Sequence, residues 1–128
     1  MCFSGLDPTG GAGIQADIET VFSLGCHCAP IITVLTAQNT ENALSQSHTD
    51  APLLVQQARA VLEDTPVQCF KIGLVSSIEA IEVIHTLLKD YSSIPVVLDP
   101  ILSAGGGFEF SDMDVLDAIK QLLIPLTT

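Results

Sequence analysis

The sequence predicts an α/β fold with a mostly parallel sheet flanked by helices. Short apolar runs alternate with stretches of helical periodicity, and this alternation occurs four times along the chain. That is the pattern of βαβ units with right-handed crossovers. The strand-like runs Pro30 to Ala37 and Pro95 to Leu98 are near-continuously apolar, as parallel strands covered on both faces are. No repeat, low-complexity stretch or interdomain linker divides the 128 residues, so residues 1–128 read as portions of one domain.

Met1 to Ser4 reads as a first strand, and Gly5 to Gly13 as a turn-rich loop with four glycines and one proline. Ile14, Ile18, Val21 and Phe22 fall at helical spacing, so Ile14 to Leu24 is a helix, ended by Gly25 at the C′ position. Pro30 to Ala37 follows as a buried strand. Gln38 to Asp50 is polar loop with room for a short edge strand, and Pro52 to Leu62 is a second helix. Cys69 to Val75 is a strand. Ser76 or Ser77 caps a helix running to about Leu88, with Ile81, Ile84, His85 and Leu88 on one stripe. After Pro95 to Leu98, Ser111 caps a last helix from Asp112 to about Leu123, with Asp112 and Asp114 placed favourably for its dipole.

Hydrophobic residues make up 48% of the chain, and the mean hydropathy is +0.50. A small domain with that balance is either membrane-embedded or part of a larger buried structure. The longest apolar stretch, Val21 to Ala37, is broken by Gly25, His27 and Pro30. It falls short of the roughly 20 apolar residues a spanning helix needs. No basic segment precedes an apolar run at the start, so a signal peptide is not expected. The chain stops after a crossover helix with no strand to follow, which points to a fragment of a larger enzyme. The net charge is −11, with Arg59, Lys71, Lys89 and Lys120 as the only cations. Nucleic-acid binding, which needs clustered cations, is therefore not expected. A phosphate ligand remains compatible, because backbone N–H groups and a metal can supply the positive field. Cys2, Cys26, Cys28 and Cys69 lack a second zinc-type pair and read as free thiols of a reducing, cytoplasmic setting.

The loop Ser4 to Gly13 lies between a strand and a helix, where ligands meet doubly wound sheets. Gly5 and Gly10 have P-loop spacing, but Gly11-Ala12 stand where Lys and a hydroxyl are required, which excludes a P-loop. Gly11-Ala12-Gly13-Ile14-Gln15-Ala16 satisfies a dinucleotide fingerprint. However, the preceding loop is too long, and no acid follows the next strand. A loop whose backbone closely approaches a small substrate and a plain helix-entry turn remain. Asp17, one turn past Gly13, is either a solvated charge or points into the cleft. Gln38, after a buried strand, offers an adjacent donor and acceptor that match an aminopyrimidine edge. A loop amide satisfied by backbone is the rival reading. Asp99, at the end of another strand, can hold a metal or face a phosphate. Ala104 to Gly107 looks mobile. Lys71 is read as structural, and His85 as packing.

The string Gly5 to Asp17 (GLDPTGGAGIQAD) closely resembles the opening motif of the hydroxymethylpyrimidine/phosphomethylpyrimidine kinases of thiamine synthesis, which are ribokinase-like enzymes. Leu24-Gly25, Ile32 to Thr40 (ITVLTAQNT), Lys71 to Leu74 (KIGL) and Val97 to Pro100 (VLDP) follow in family order and spacing. The resemblance implies a ribokinase-like α/β fold, present as its N-terminal part. It also implies ATP-dependent phosphorylation of the pyrimidine and then of its monophosphate, with ATP and magnesium as cofactors and a homodimer as the complete enzyme.

By the same resemblance Gln38 reads the aminopyrimidine edge, and Asp17 with the Gly11-Ala12-Gly13 backbone lines the pocket. Leu74 stands where the family usually has methionine against the ring, Ile101 is an apolar pocket position, and Asp99 sits near the phosphates and Mg. The catalytic base, the anion hole and most of the ATP site are expected beyond Thr128, so residues 1–128 alone should be inactive. Pyridoxal kinase, which shares fold and opening loop, and a non-catalytic pyrimidine-binding module are the alternative readings.

Overall fold

The computed structural model describes residues 1–128. Its strands are β1 (Cys2–Leu6), β2 (Pro30–Gln38), β3 (Ala43–His48), β4 (Phe70–Ile72) and β5 (Val96–Leu98). The helices are α1 (Gly13–Ser23), α2 (Ala51–Asp64), α3 (Ile78–Asp90) and α4 (Met113–Ala118). A π turn over Ile119–Leu123 and a 3₁₀ turn over Ile124–Leu126 prolong α4. One five-stranded sheet runs in the order β3-β2-β1-β4-β5. Strand β1 is central and parallel to both neighbours, β4 and β5 are parallel, and only β3 runs antiparallel. The chain leaves β1 to one side through α1 and later returns to its other side through α2. The strand order thus switches at β1, and the crevice of such a sheet opens at the carboxyl ends there.

The main core covers one face. Phe3, Ile31, Phe70, Ile72 and Val96 from the strands meet Leu54 of α2, Ile81, Ile84 and Leu87 of α3, and Ile119 and Leu123 beyond α4. Helix α1 covers the other face over β1 and β2 through Ile14, which packs with Cys2 and Cys28. A smaller cluster of Val34, Ala43, Leu74 and Phe110 lies at the carboxyl end of the sheet. Thr128 N–H reaches the Val96 carbonyl at 2.9 Å, so the last residue lies against the outer edge of β5.

Several boundaries differ from the sequence reading. Strand β1 runs on through Leu6, because Gly5 and Leu6 pair with Val34 and Leu35 after a register shift past Ser4. The edge strand β3 forms within the polar segment Gln38 to Asp50. Strands β4 and β5 are only three residues each. The buried character expected of β2 holds to Val34, beyond which Leu35 is 47% exposed. Val97 on the edge strand β5 is 54% exposed. The last helix is capped by Asp112, whose carboxylate accepts from Val115 N–H at 2.9 Å, and not by Ser111. The Ser111 hydroxyl is instead buried without a partner. Ser77, of the two candidates, caps α3.

Candidate ligand site at the switch point

Gly13 fixes the loop that opens the site. Its φ is +62°, and a Cβ there would overlap the Gly5 carbonyl. Only glycine accepts both conditions. The loop thereby folds back on β1, with Leu6 and Gly13 bridged. Ala12 enters α1 in extended conformation, and no side chain caps the helix, so its first N–H groups stay free of side-chain partners. Side chains tie the strand ends: Thr36 Oγ1 donates to the Leu6 carbonyl at 2.8 Å, and Thr33 Oγ1 donates to the Leu74 carbonyl.

Two adjoining cavities open at this end. The inner one, about 190 Å³, is lined by Ala12, Gly13, Gln38, Leu74, Ile101 and Phe110, among others. The outer one, about 280 Å³, adds Gly11 and the turn Asn39 to Asn42. Asp7, Ala12, Gln38, Ala104 and Gly105 line both. Gly11, Ala12, Gly13, Gln38, Leu74 and Ile101 thus all line one or both of these cavities.

Asp17 and Asp99 stand elsewhere. The Asp17 carboxylate is 3.0 Å from Lys71 Nζ, on the face of the sheet that α1 partly covers. It lines neither cavity. Its charge is satisfied by Lys71, which has the structural role expected of it. Asp99 is exposed at the end of β5, outside both cavities, and its N–H donates to the Ile72 carbonyl at 2.8 Å. No group of three or more His, Cys, Asp or Glu side chains could hold a metal ion.

The central residue that sequence reasoning passed over is Asp7, which is 8% exposed. Its carboxylate accepts from Thr9 N–H at 2.8 Å and from the Thr9 hydroxyl at 3.0 Å. Burial pushes its pKa up. Hydrogen bonds from Thr9, Gln38 and Ala12 outweigh burial and hold it below the usual carboxylate value. The pattern Asp-Pro-Thr was a readable signal, since Asp side chains bind the backbone two residues on. The segment Ala104 to Gly107, which the glycines suggested was mobile, is tied down at several points. Gly106 sits so close to the Glu41 carbonyl and the Asn42 side chain that a Cβ there would overlap both. Ala104 N–H donates to the Phe108 carbonyl at 2.8 Å. Asn42 Oδ1 accepts from Phe108 N–H at 3.2 Å.

The family model for phosphomethylpyrimidine kinase matches residues 7–128. The chain belongs to the phosphomethylpyrimidine kinase family. It is 38% identical over 126 residues to the thiamine biosynthesis bifunctional protein ThiED of Geobacter sulfurreducens, covering 98% of this chain and 26% of that protein. It is 31% identical to the hydroxymethylpyrimidine/phosphomethylpyrimidine kinase of Staphylococcus aureus, covering 98% of this chain and 46% of the relative. The chain therefore spans about half the length, or less, of the curated relatives it matches. Among solved structures, the phosphomethylpyrimidine kinase of Clostridium difficile superposes with a TM-score of 0.90 at 36% identity, over 98% of this chain and 55% of that one. The pyridoxal kinase of Bacillus subtilis gives 0.85 at 25%, over 99% and 46%. The family is one of kinases, and the fold is the ribokinase-like fold of these pyrimidine and pyridoxal kinases. No helix is long and apolar enough to cross a membrane.

Proposed function

We propose that this chain is the N-terminal, substrate-binding part of a kinase. The complete enzyme would phosphorylate 4-amino-5-hydroxymethyl-2-methylpyrimidine and then its monophosphate with ATP. One observation carries the reading: Gln38 and the apolar side chains of Leu74, Ile101 and Phe110 converge on one cavity of about 190 Å³. An apolar cavity of about 150 Å³ takes benzene, so this one suits a single substituted ring. The Gln38 amide presents a donor beside an acceptor, the complement of an exocyclic amine next to a ring nitrogen. Leu74 and Phe110 flank the ring, and the Gly11 to Gly13 backbone approaches the substituent to be phosphorylated.

ATP supplies the phosphoryl group when bound. Residues 1–128 carry only four cations, Arg59, Lys71, Lys89 and Lys120, well separated in sequence. The anion hole and the proton-accepting group are assigned to the portion of the relatives that this chain does not span. Residues 1–128 by themselves should not turn over ATP. Asp99 is the side chain here that could meet magnesium. A lone carboxylate suits that ion only where phosphates and water complete its shell. A cytoplasmic homodimer is the expected form of the complete enzyme, and the four free cysteines fit that compartment.

The test is substrate preference in the complete enzyme. Hydroxymethylpyrimidine should be phosphorylated in preference to pyridoxal, and Gln38→Leu should weaken pyrimidine binding by about 1–3 kcal/mol. Preference for pyridoxal, or full pyrimidine affinity in Gln38→Leu, would reject the assignment.

A further inference from the structure

Strand β3 contributes one side chain whose two polar ends hold separate elements of the site. Gln46 stands opposite Thr36 in the β2–β3 ladder, and Thr36 lines the inner cavity. Gln46 Nε2 donates to the Phe110 carbonyl at 3.0 Å, while its Oε1 accepts from the Ser76 hydroxyl at 3.1 Å. Ser76 is 6% exposed and lies 3.0 Å from His48 Nε2. The amide is therefore held from the far side by the segment between β4 and α3. Its orientation is set by the Phe110 carbonyl, which can only accept, whereas the Ser76 hydroxyl can donate or accept.

Phe110 belongs to the long segment between β5 and α4, which also supplies Ile101, Ala104 and Gly105 to the cavity wall. It is 7% exposed, stacks edge-on with Phe108 at 5.4 Å, and packs with Val34 and Leu74. Gln46 Nε2 is the only hydrogen-bond donor to its carbonyl. The segment is hydrogen-bonded to β3 and the turn before it at two points, Asn42 to Phe108 and Gln46 to Phe110. The second lies at the residue that forms the apolar wall.

We propose that Gln46 is a positioning residue for substrate binding: by holding the Phe110 carbonyl it sets the wall against which the substrate ring packs. This rests on reading the inner cavity as the pyrimidine pocket. Gln46 itself does not line either cavity, so its effect passes through Phe110. It should therefore appear in substrate affinity more than in turnover.

The decisive variant is Gln46→Glu in the complete enzyme. It keeps the length and the acceptor for Ser76 but sets a carboxylate oxygen against the Phe110 carbonyl. KM for the pyrimidine should rise about 5- to 10-fold, the loss of one buried hydrogen bond. The kcat and the KM for ATP should stay within about twofold, since only ground-state binding of the ring is weakened. Ser76→Ala, a milder variant that frees the other end of the amide, should shift KM in the same direction by less. Phe110→Ala should raise KM, and adding Gln46→Glu to it should raise it no further. A wild-type enzyme that binds no pyrimidine would overturn the reading of the pocket and this proposal with it. A wild-type enzyme that binds it, while Gln46→Glu and Ser76→Ala keep the wild-type KM, would overturn this proposal alone. So would additive effects of Gln46→Glu and Phe110→Ala.

Discussion

Lys71 Nζ and the Asp17 carboxylate lie 3.0 Å apart, joining α1 to β4 across the face of β1, with the two side chains 26% and 15% exposed. Ser4 Oγ, fully buried and unpartnered, is near neighbour to the same ammonium: both approach the α-carbon of Gly73 so closely that a Cβ there would meet each at 2.6 Å. The absence of a side chain at Gly73 is what makes room for the pair.

Asp17→Asn therefore tests structure. It leaves a half-buried ammonium without its counter-charge, a loss between that of an exposed pair and that of a buried one. Stability to urea should fall by about 1–2 kcal/mol. Pyrimidine affinity should stay near the wild-type value, because Asp17 lines neither cavity. A stable Asp17→Asn variant with weakened pyrimidine binding would return the residue to the pocket.

Asp7 gives the pH dependence of the loop its sign. Its folded pKa is held below the ordinary 3.8, because hydrogen bonds from Thr9, Gln38 and Ala12 outweigh the burial that would raise it. The unfolded chain thus takes up the proton first as pH falls. The stabilisation is fully present above the ordinary 3.8 and is lost as pH drops through the lower folded value. Asp7→Asn should be less stable than wild type at neutral pH, and the gap should narrow below pH 3.8. Urea titrations of both proteins across the acid range measure it. A gap that is constant with pH would mean that the ionised carboxylate contributes nothing.

Much of this architecture was legible in the residues. Periodicity located α1 and α3, and the apolar runs located β2 and β5, because both signals come from local burial. The glycine string and Gln38 were legible from their places beside strands, where the crevice of such a sheet lies, whereas Leu74 and Ile101 came only from the family resemblance. The pairing of Asp17 was not legible, for a physical reason. Helical phase told that it sat near Ile14 and Ile18, but its partner Lys71 is 54 residues away, and no local pattern reports such a pairing. Gln46 and Phe110 were missed for the same reason, being joined across 64 residues. The strand β3 was only half visible, since Ser45, Gln46 and Ser47 carry little strand propensity and the ladder with β2 makes the strand.

The four cysteines divide by environment, and alkylation reads the division. Cys2 and Cys28 are 4% and 8% exposed and pack together beneath α1 with Ile14. Burial, then a hydrogen bond with Cys28 and the nearby charges of Cys28 and Asp17, push the Cys2 thiol up to about 12 from its ordinary 9.0. The nucleophile is the thiolate, so Cys2 is doubly protected, by access and by protonation. Cys26 and Cys69 are exposed. Iodoacetamide at neutral pH should label Cys26 and Cys69 in the folded protein and all four cysteines in denaturant, as mass spectrometry of the peptides would show. The same shift predicts an alkaline limit. Cys2 holds its proton more tightly in the folded state, so its contribution is complete below pH 9.0 and is lost as pH rises toward about 12. Cys2→Ala should remove that part of the alkaline loss, and its stability relative to wild type should improve as pH rises above 9.0. Rapid labelling of Cys2 in the folded protein, or parallel alkaline stability curves for wild type and Cys2→Ala, would show that the thiol is neither buried nor shifted as the packing beneath α1 requires.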